Sequence, residues 1–189
     1  MASAARRQVA LIRGINVGRA KRVAMADLRV LMTELGYREV RTVLNSGNVV
    51  FTSPPGRGAD AAARIEKGLV RRLGISARVM VLTAAELDVV IAENPLTKIA
   101  QNPSCLMVFV LGDPADRARL KPLTEQAWAP EALAVGRRVA YLWCPEGIIA
   151  SRLAGAVGRV LGDAVTARNW ATMNKLHILM GPPAGGHAG

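Results

Sequence analysis

The order in which strand and helix patterns follow one another constrains the fold of this chain more than any other feature. Four short apolar or β-branched runs are typical of strands and occupy residues 8–13, 40–44, 49–52 and 77–82. Two amphipathic helical patterns, each followed by a glycine, lie between them at residues 25–35 and 61–73. The resulting order, β-α-β-β-α-β, predicts an antiparallel four-stranded sheet with both helices on one face.

The same order returns in the second half of the chain. A helix at residues 83–93, in which Thr83 and Glu86 have capping-box spacing, links the two halves. Strand patterns follow at residues 105–111, 132–135, 139–144 and 163–167, and helical patterns at residues 113–120 and 151–161. This degenerate repeat predicts an α+β fold of two tandem ferredoxin-like subdomains with antiparallel sheets, plus a C-terminal helix at residues 169–180.

The repeat predicts four segments along the chain. We expect a ferredoxin-like subdomain at residues 1–82, and a linking helix and loop at 83–103. A second, degenerate ferredoxin-like subdomain with the terminal helix follows at 104–180. The last segment, 181–189, consists of glycine, proline, alanine and one histidine, and is predicted to be a disordered tail.

The composition is that of a globular protein. Hydrophobic residues make up 51% and charged residues 21% of the 189 positions, so a core forms without a metal or a disulfide. Cys105 and Cys144 each lie in an apolar run and are predicted to be free thiols in a reducing compartment. The apolar residues 9–12 are too few for a signal-peptide core, and no apolar run reaches the length of a membrane span. We therefore expect a cytoplasmic protein without membrane contact.

An excess of basic residues favours an anionic partner. The formal net charge is +11, and the excess is spread along the chain without a basic tail. Nucleic acid or a phosphate-bearing small molecule would account for this excess, and colloidal solubility is the alternative explanation.

A basic loop with two glycines joins the first strand to the first helix. Its glycines allow backbone amides to approach an anion, next to the N-terminus of a helix. The candidate ligand-binding residues in this loop are Arg13, Gly14, Asn16, Gly18, Lys21 and Arg22. The spacing is not that of a P-loop, and the alternative is a structural loop with solvated bases.

Two further polar blocks supply candidate ligand-binding residues. The first is the predicted hairpin turn, with the candidates Asn45, Ser46 and Asn48. Their side chains either bind polar groups of a ligand or only form the turn. The second lies near the start of the terminal helix and contains Arg168, Asn169, Thr172 and Lys175. The guanidinium fork of Arg168 suits phosphate or carboxylate, whereas a helix cap with solvated charges is the alternative.

The sequence contains no recognisable catalytic, metal or cofactor motif. The patterns HExxH, CxxC and GxSxG are absent, and His177 has no cysteine or carboxylate cluster around it. We therefore expect no metal and no cofactor, and whether the protein is an enzyme stays open. Aromatic residues make up only 4% of the chain, which argues against RNA recognition by base stacking on the sheet.

Three blocks of residues resemble one known family. They are residues 11–18 (LIRGINVG) with Lys21, Arg22 and Met25, residues 44–51 (LNSGNVVF), and residues 166–170 (TARNW) with Thr172, Lys175 and Leu176. Their order and spacing are similar to those of the domain of unknown function 1697 family. The resemblance implies a tandem pair of ferredoxin-like subdomains, and it implies no activity, substrate or catalytic residue. Arg19 stands where the family usually has a second glycine, so this loop is less flexible and more basic.

Three functions are compatible with these patterns. The favoured one is binding of a phosphate-bearing ligand or nucleic acid, with contacts from Arg13, Lys21, Arg22, Arg168 and Lys175. An enzyme acting on a small anionic substrate in a cleft between the subdomains is the second. The third is a protein-interaction or dimerisation module, because a ferredoxin-like sheet can leave one face bare. The oligomeric state is not predicted.

Overall fold

The computed structural model describes residues 5–17, 21–57 and 59–181. Its backbone divides into two compact units: one contains the chain up to Leu87 together with the residues from Leu176 onward, and the other contains Asp88–Lys175. The subdomain boundaries expected from the sequence stay a prediction. The tail expected at 181–189 lies, apart from Gly181, outside the described residues.

The first unit has the predicted β-α-β-β-α-β order. Its elements are β1 (Arg6–Ile12), α1 (Met25–Glu34), β2 (Arg38–Val43), β3 (Asn48–Ser53), α2 (Ala61–Leu73) and β4 (Val79–Thr83). The next element in the chain, α3 (Ala84–Ala92), begins in this unit and ends in the other, which starts at Asp88. The sheet order is β2-β3-β1-β4, and every neighbouring pair is antiparallel. This is the strand arrangement of a ferredoxin-like fold, so the predicted architecture is confirmed for this unit.

The second unit repeats this arrangement with one replacement. Its elements are β5 (Leu106–Leu111), a 3₁₀ helix (Pro114–Leu120), α4 (Lys121–Thr124), β6 (Ala132–Val135), β7 (Val139–Trp143), α5 (Arg152–Leu161) and β8 (Val165–Asn169). The next element in the chain, α6 (Trp170–Met180), begins in this unit, and its residues from Leu176 on belong to the first unit. The sheet order is β6-β7-β5-β8, again antiparallel throughout. The tandem ferredoxin-like α+β fold is therefore confirmed, with a 3₁₀ helix and a single α-turn in place of the first helix.

Alternation along the strands builds a core on the helix side of each sheet. In the first unit Ile12 and Phe51 lie in one buried cluster with Ile65 of α2, and the ring of Phe51 packs at a tilt on Tyr37 with centroids 4.6 Å apart. In the second unit Phe109 and Val157 belong to the corresponding cluster. Each unit therefore has its own hydrophobic core.

The opposite face of the first sheet is also buried. Val9 pairs with Val50 on one side and with Leu82 on the other, and all three are 0% exposed. The bare sheet face on which the interaction-module hypothesis rests is therefore not found at these positions.

Local signals in the sequence account for several element ends. Thr83 and Glu86 form the predicted capping box at the start of α3: the Glu86 amide donates to Thr83 Oγ1 at 3.2 Å, and the Thr83 amide donates to Glu86 Oε2 at 2.8 Å. Ser151 caps α5 by accepting a hydrogen bond from the Ala154 amide at 2.8 Å. The last strand lies two residues later than predicted, because Gly162–Ala164 form a 3₁₀ turn.

Candidate functional site

The basic loop and the hairpin turn of the first unit are in direct contact. The side-chain amide of Asn16 donates to the Asn45 carbonyl oxygen at 2.8 Å and to the Val23 carbonyl oxygen at 2.9 Å. Its oxygen Oδ1 accepts from the Val23 amide at 2.8 Å. Asn16 therefore closes its own loop and ties that loop to the hairpin, which is a structural use of this candidate ligand-binding side chain.

Asn48 is likewise used inside the fold. It is 0% exposed, and its Nδ2 donates to the Val43 carbonyl oxygen at 3.0 Å and to Ser46 Oγ at 2.9 Å. Asn45 is exposed, and its backbone oxygen holds Asn16. The side chain of Asn48 therefore stabilises the hairpin turn, which is the alternative to ligand binding for this residue.

Left-handed backbone concentrates where the loop meets the hairpin. Gly14, Asn16 and Lys21 have φ of 67°, 57° and 50° in the loop, and Leu44 and Gly47 have φ of 58° and 75° in the turn. A Cβ at Gly47 would lie 2.8 Å from Ile15 Cδ1, so the close approach of loop and turn requires glycine there.

The basic side chains of the loop lie at its surface. Lys21 and Arg22 are exposed and precede α1, which has no side-chain cap, and Arg13 is half-buried. Gly18 lies outside the described residues, as does Arg19, so the anion-binding geometry expected of this loop stays a prediction.

Arg168 of the second unit is half-buried rather than displayed on the surface. It lies on β8 opposite Val108, and its Nη1 donates to the Ala167 carbonyl oxygen at 2.7 Å and to Thr166 Oγ1 at 3.0 Å. Burial lowers the pKa of Arg168 to about 10. These contacts hold the guanidinium along its own strand.

The remaining candidates of that block divide between cap and surface. Asn169 caps α6 by accepting from the Thr172 amide at 2.9 Å through Oδ1, and Thr172 is buried. Lys175 is exposed. The helix-cap alternative therefore accounts for Asn169.

Sequence reasoning missed a basic surface on α2. The buried face of this helix contains Ala61, Ile65, Gly68 and Leu69, and its other positions carry Arg64, Lys67, Arg71 and Arg72. With Arg78 just before β4, these five bases form a surface that we call the basic groove. The spacing of Arg64, Lys67 and Arg71 puts them on one side of a helix, and this signal was available in the sequence.

Two concavities flank α2 in this unit. One, of about 340 Å³, lies between α1 and α2 and is lined by Leu31, Glu34 and Gly68 together with Arg64, Lys67, Arg71 and Arg72. The other, of about 480 Å³, lies on the β4 side and is lined by Glu66, Lys67, Val70, Arg71, Ser76, Ala77 and Arg78. Lys67 and Arg71 therefore line both concavities.

Among the residues that the structure describes, ion pairs occupy the outer bases of the basic groove but not the central two. Arg72 pairs with Glu34 at 2.8 Å, Arg78 with Glu66 at 3.4 Å, and Arg64 with Asp60 at 4.0 Å. Lys67 and Arg71 make no ion pair or hydrogen bond with any residue in the described part of the chain. Their charge is therefore available to an external anion.

A buried hydroxyl lies beside one end of the basic groove. Tyr37 is 2% exposed, and its hydroxyl has no hydrogen-bond partner among residues 5–17, 21–57 and 59–181. Burial raises its pKa, and the nearby guanidinium of Arg64 opposes that rise without reaching hydrogen-bond geometry. Arg64 therefore links the basic groove electrostatically to a polar group inside the core.

Neither a metal centre nor a membrane segment is found in the part of the chain that the structure describes. No group of three or more histidine, cysteine or carboxylate side chains could hold a metal ion there. Among the same residues, no helix has the length and apolar character needed to cross a membrane.

A family model decides the relationship of this chain to known proteins. The model described as "Protein of unknown function (DUF1697)" matches residues 5–141. The chain belongs to this family. The match includes the loop and hairpin blocks of the sequence, whereas the block at residues 166–176 lies beyond it. Membership carries no assigned activity.

A solved structure shares the fold. The conserved bacterial protein SP0830 from Streptococcus pneumoniae is 23% identical, with a TM-score of 0.77 over 94% of this chain and 99% of that one. At this identity the likeness concerns the fold alone. No curated protein matches the sequence.

Proposed function

We propose that the first unit binds nucleic acid through its phosphate backbone, using the basic groove on α2. The observation that carries this proposal is that Lys67 and Arg71 line two adjoining concavities and have no carboxylate partner among the described residues. Three more bases flank them. Clustered bases on one helix face are the electrostatic footprint of phosphate recognition.

The exposure of these side chains favours a polymer over a small phosphate-bearing ligand. Lys67, Arg71 and Arg72 are all exposed, and the concavities lie on two sides of the same helix. A small-ligand site usually encloses most of its ligand. A phosphate backbone crossing α2 would contact both concavities at once.

The proposed mode of recognition is independent of base sequence. Helix α2 carries no aromatic side chain on which a base could stack, and Val9, Val50 and Leu82 on the far sheet face are buried. Lys21 and Arg22 are exposed on the same unit and are proposed as additional phosphate contacts. The proposal includes a cytosolic location and no catalytic step.

Fluorescence anisotropy with labelled single-stranded RNA and duplex DNA tests the proposal. We expect binding at low salt that weakens steeply as salt increases, because displaced counterions drive it. The double variant Lys67→Glu/Arg71→Glu should weaken binding. It should also make the dependence of log affinity on log salt shallower by about 2 for duplex DNA, about one for each lost contact.

A matched variant controls for net charge. Lys98→Glu/Lys121→Glu makes the same charge change at two exposed positions of the second unit and should leave most of the binding intact. Equal losses in the two variants would show that only net charge matters and would overturn the basic groove as a site. Complete competition by inorganic triphosphate at equal phosphate concentration would favour a small phosphate-bearing ligand instead.

A further inference from the structure

The two cysteines of the second unit face each other across two paired strands. Leu106 of β5 is paired with Trp143 of β7, and Cys105 and Cys144 are the next residues outward, one position beyond each strand. The Cys144 amide donates to the Cys105 carbonyl oxygen at 3.0 Å, so the pairing continues to these residues. Their positions are fixed by the strand register rather than by a mobile loop.

Both thiols lie on the same side of the sheet. Residues directly opposite in an antiparallel pair share a face, and Cys144 belongs to the buried cluster on the helix side with Met107 and Leu142. The hydrogen bond between their backbones makes this the hydrogen-bonded kind of opposite pair, in which Cα atoms are about 5.5 Å apart, within the range that a disulfide spans. Joining the two sulfur atoms therefore requires the Cβ atoms, which are about 4.5–5.5 Å apart in opposite pairs, to approach to about 3.5–4.5 Å.

The two thiols differ in access. Cys105 is half-buried and free, whereas Cys144 is 0% exposed and also free. Burial raises the pKa of Cys144, and Cys105 lies close enough to add to that rise, while Ser151 at the start of α5 opposes it. An outside reagent therefore reaches Cys105 first, with Cys144 placed behind it.

We propose that Cys105 and Cys144 are a thiol–disulfide exchange site. They react with a low-molecular-weight disulfide, such as oxidised glutathione, and form a reversible disulfide with each other. The Cys105 thiolate attacks one glutathione sulfur, which forms a mixed disulfide and releases one glutathione thiolate. The Cys144 thiolate then attacks the Cys105 sulfur and releases the second glutathione. Two protein thiols are oxidised, two glutathione molecules are released reduced, and each takes up one of the two cysteine protons.

Incubation of the full chain with oxidised glutathione, followed by mass spectrometry and thiol counting in denaturant, tests this site. We expect the native protein to lose both thiols, to retain no glutathione, and to yield one peptide pair linked through Cys105 and Cys144. Reduced glutathione in excess should restore both thiols. Circular dichroism checks that each sample is folded.

Two single variants separate this pathway from nonspecific oxidation. Cys144→Ser should stop at a stable glutathione adduct on Cys105, and Cys105→Ser should stay unmodified because Cys144 is buried. Stable adducts on the native protein, linkage between two chains, or an internal disulfide that appears only in denaturant would each overturn the proposal.

Discussion

The two units share one topology and differ on the outer faces of their equivalent helices. Helices α2 and α5 occupy the same place in the β-α-β-β-α-β order, and each buries a face of small and apolar residues on its sheet. Outside that face α2 carries four bases, whereas α5 carries only Arg152 and Arg159. The fold therefore constrains the buried face, and the exposed face is free to acquire chemistry.

The largest expected effect tests whether the two cores are separate. Phe51→Ala in the first unit and Phe109→Ala in the second should each cost about 3–5 kcal/mol of unfolding free energy, because both rings are almost fully buried. Urea unfolding followed by circular dichroism measures the whole chain. All three tryptophans, Trp128, Trp143 and Trp170, lie in the second unit, so their fluorescence reports on that unit. Equal shifts of the fluorescence transition in both variants would mean that the units do not unfold separately.

The equivalent hairpins provide the next comparison. Gly47→Ala should destabilise the first unit by about 2–4 kcal/mol, because it places a side chain at φ 75° and against Ile15. Gly136 in the β6–β7 turn has no positive φ, and a Cβ there would meet the Tyr141 ring at 3.2 Å. Gly136→Ala should therefore cost less. Chemical unfolding of both variants measures the two losses of unfolding free energy. A larger loss for Gly136→Ala would contradict the role assigned to Gly47.

The N-caps of α2 and α5 should differ in their contribution to the unfolding free energy, by a smaller amount than the hairpin glycines. Ser151→Ala should cost about 1 kcal/mol, because the Ala154 amide loses its acceptor. Asp60, at the same position before α2, makes no side-chain cap hydrogen bond and only a long contact with Arg64. Asp60→Ala should therefore leave the unfolding midpoint nearly unchanged. A loss at Asp60 equal to that at Ser151 would show that its carboxylate stabilises the helix N-terminus through charge.

The last comparison concerns the two tyrosines, one in each unit. Burial raises the pKa of Tyr37, and burial with the nearby Glu93 raises the pKa of Tyr141 to about 12. The folded state therefore holds both protons above pH 10, where the unfolded state loses them, so unfolding free energy should fall as pH rises past 10. Absorbance titration of Tyr37→Phe, which leaves Tyr141 alone, should show phenolate forming near pH 12 in the folded protein. Ionisation near pH 10 would contradict the burial of Tyr141.

The fold was predictable because its signals are local. Strand and helix periods, the glycines after α1 and α2, and the capping box of Thr83 and Glu86 each depend on residues close in the sequence. The 3₁₀ helix at Pro114–Leu120 was predicted as an ordinary helix, because its pattern of bases and apolar residues does not distinguish the two.

The candidate site was less predictable because it depends on contacts between distant residues. The amide of Asn16 is satisfied by a backbone oxygen 29 positions away, and the guanidinium of Arg168 is held on a strand whose burial only the folded sheet creates. The basic side of α2 was visible as spacing. What the spacing did not show was that, within the described part of the chain, Lys67 and Arg71 lack the carboxylate partners that their neighbours have.

The division of the backbone has a consequence for the order of synthesis. Residues from Leu176 onward belong to the first unit, and Leu176 and Met180 are almost fully buried. A ribosome therefore delivers the β-α-β-β-α-β part of that unit early and its last buried residues only after the whole second unit. During translation the second unit can therefore complete its contacts before the first unit does.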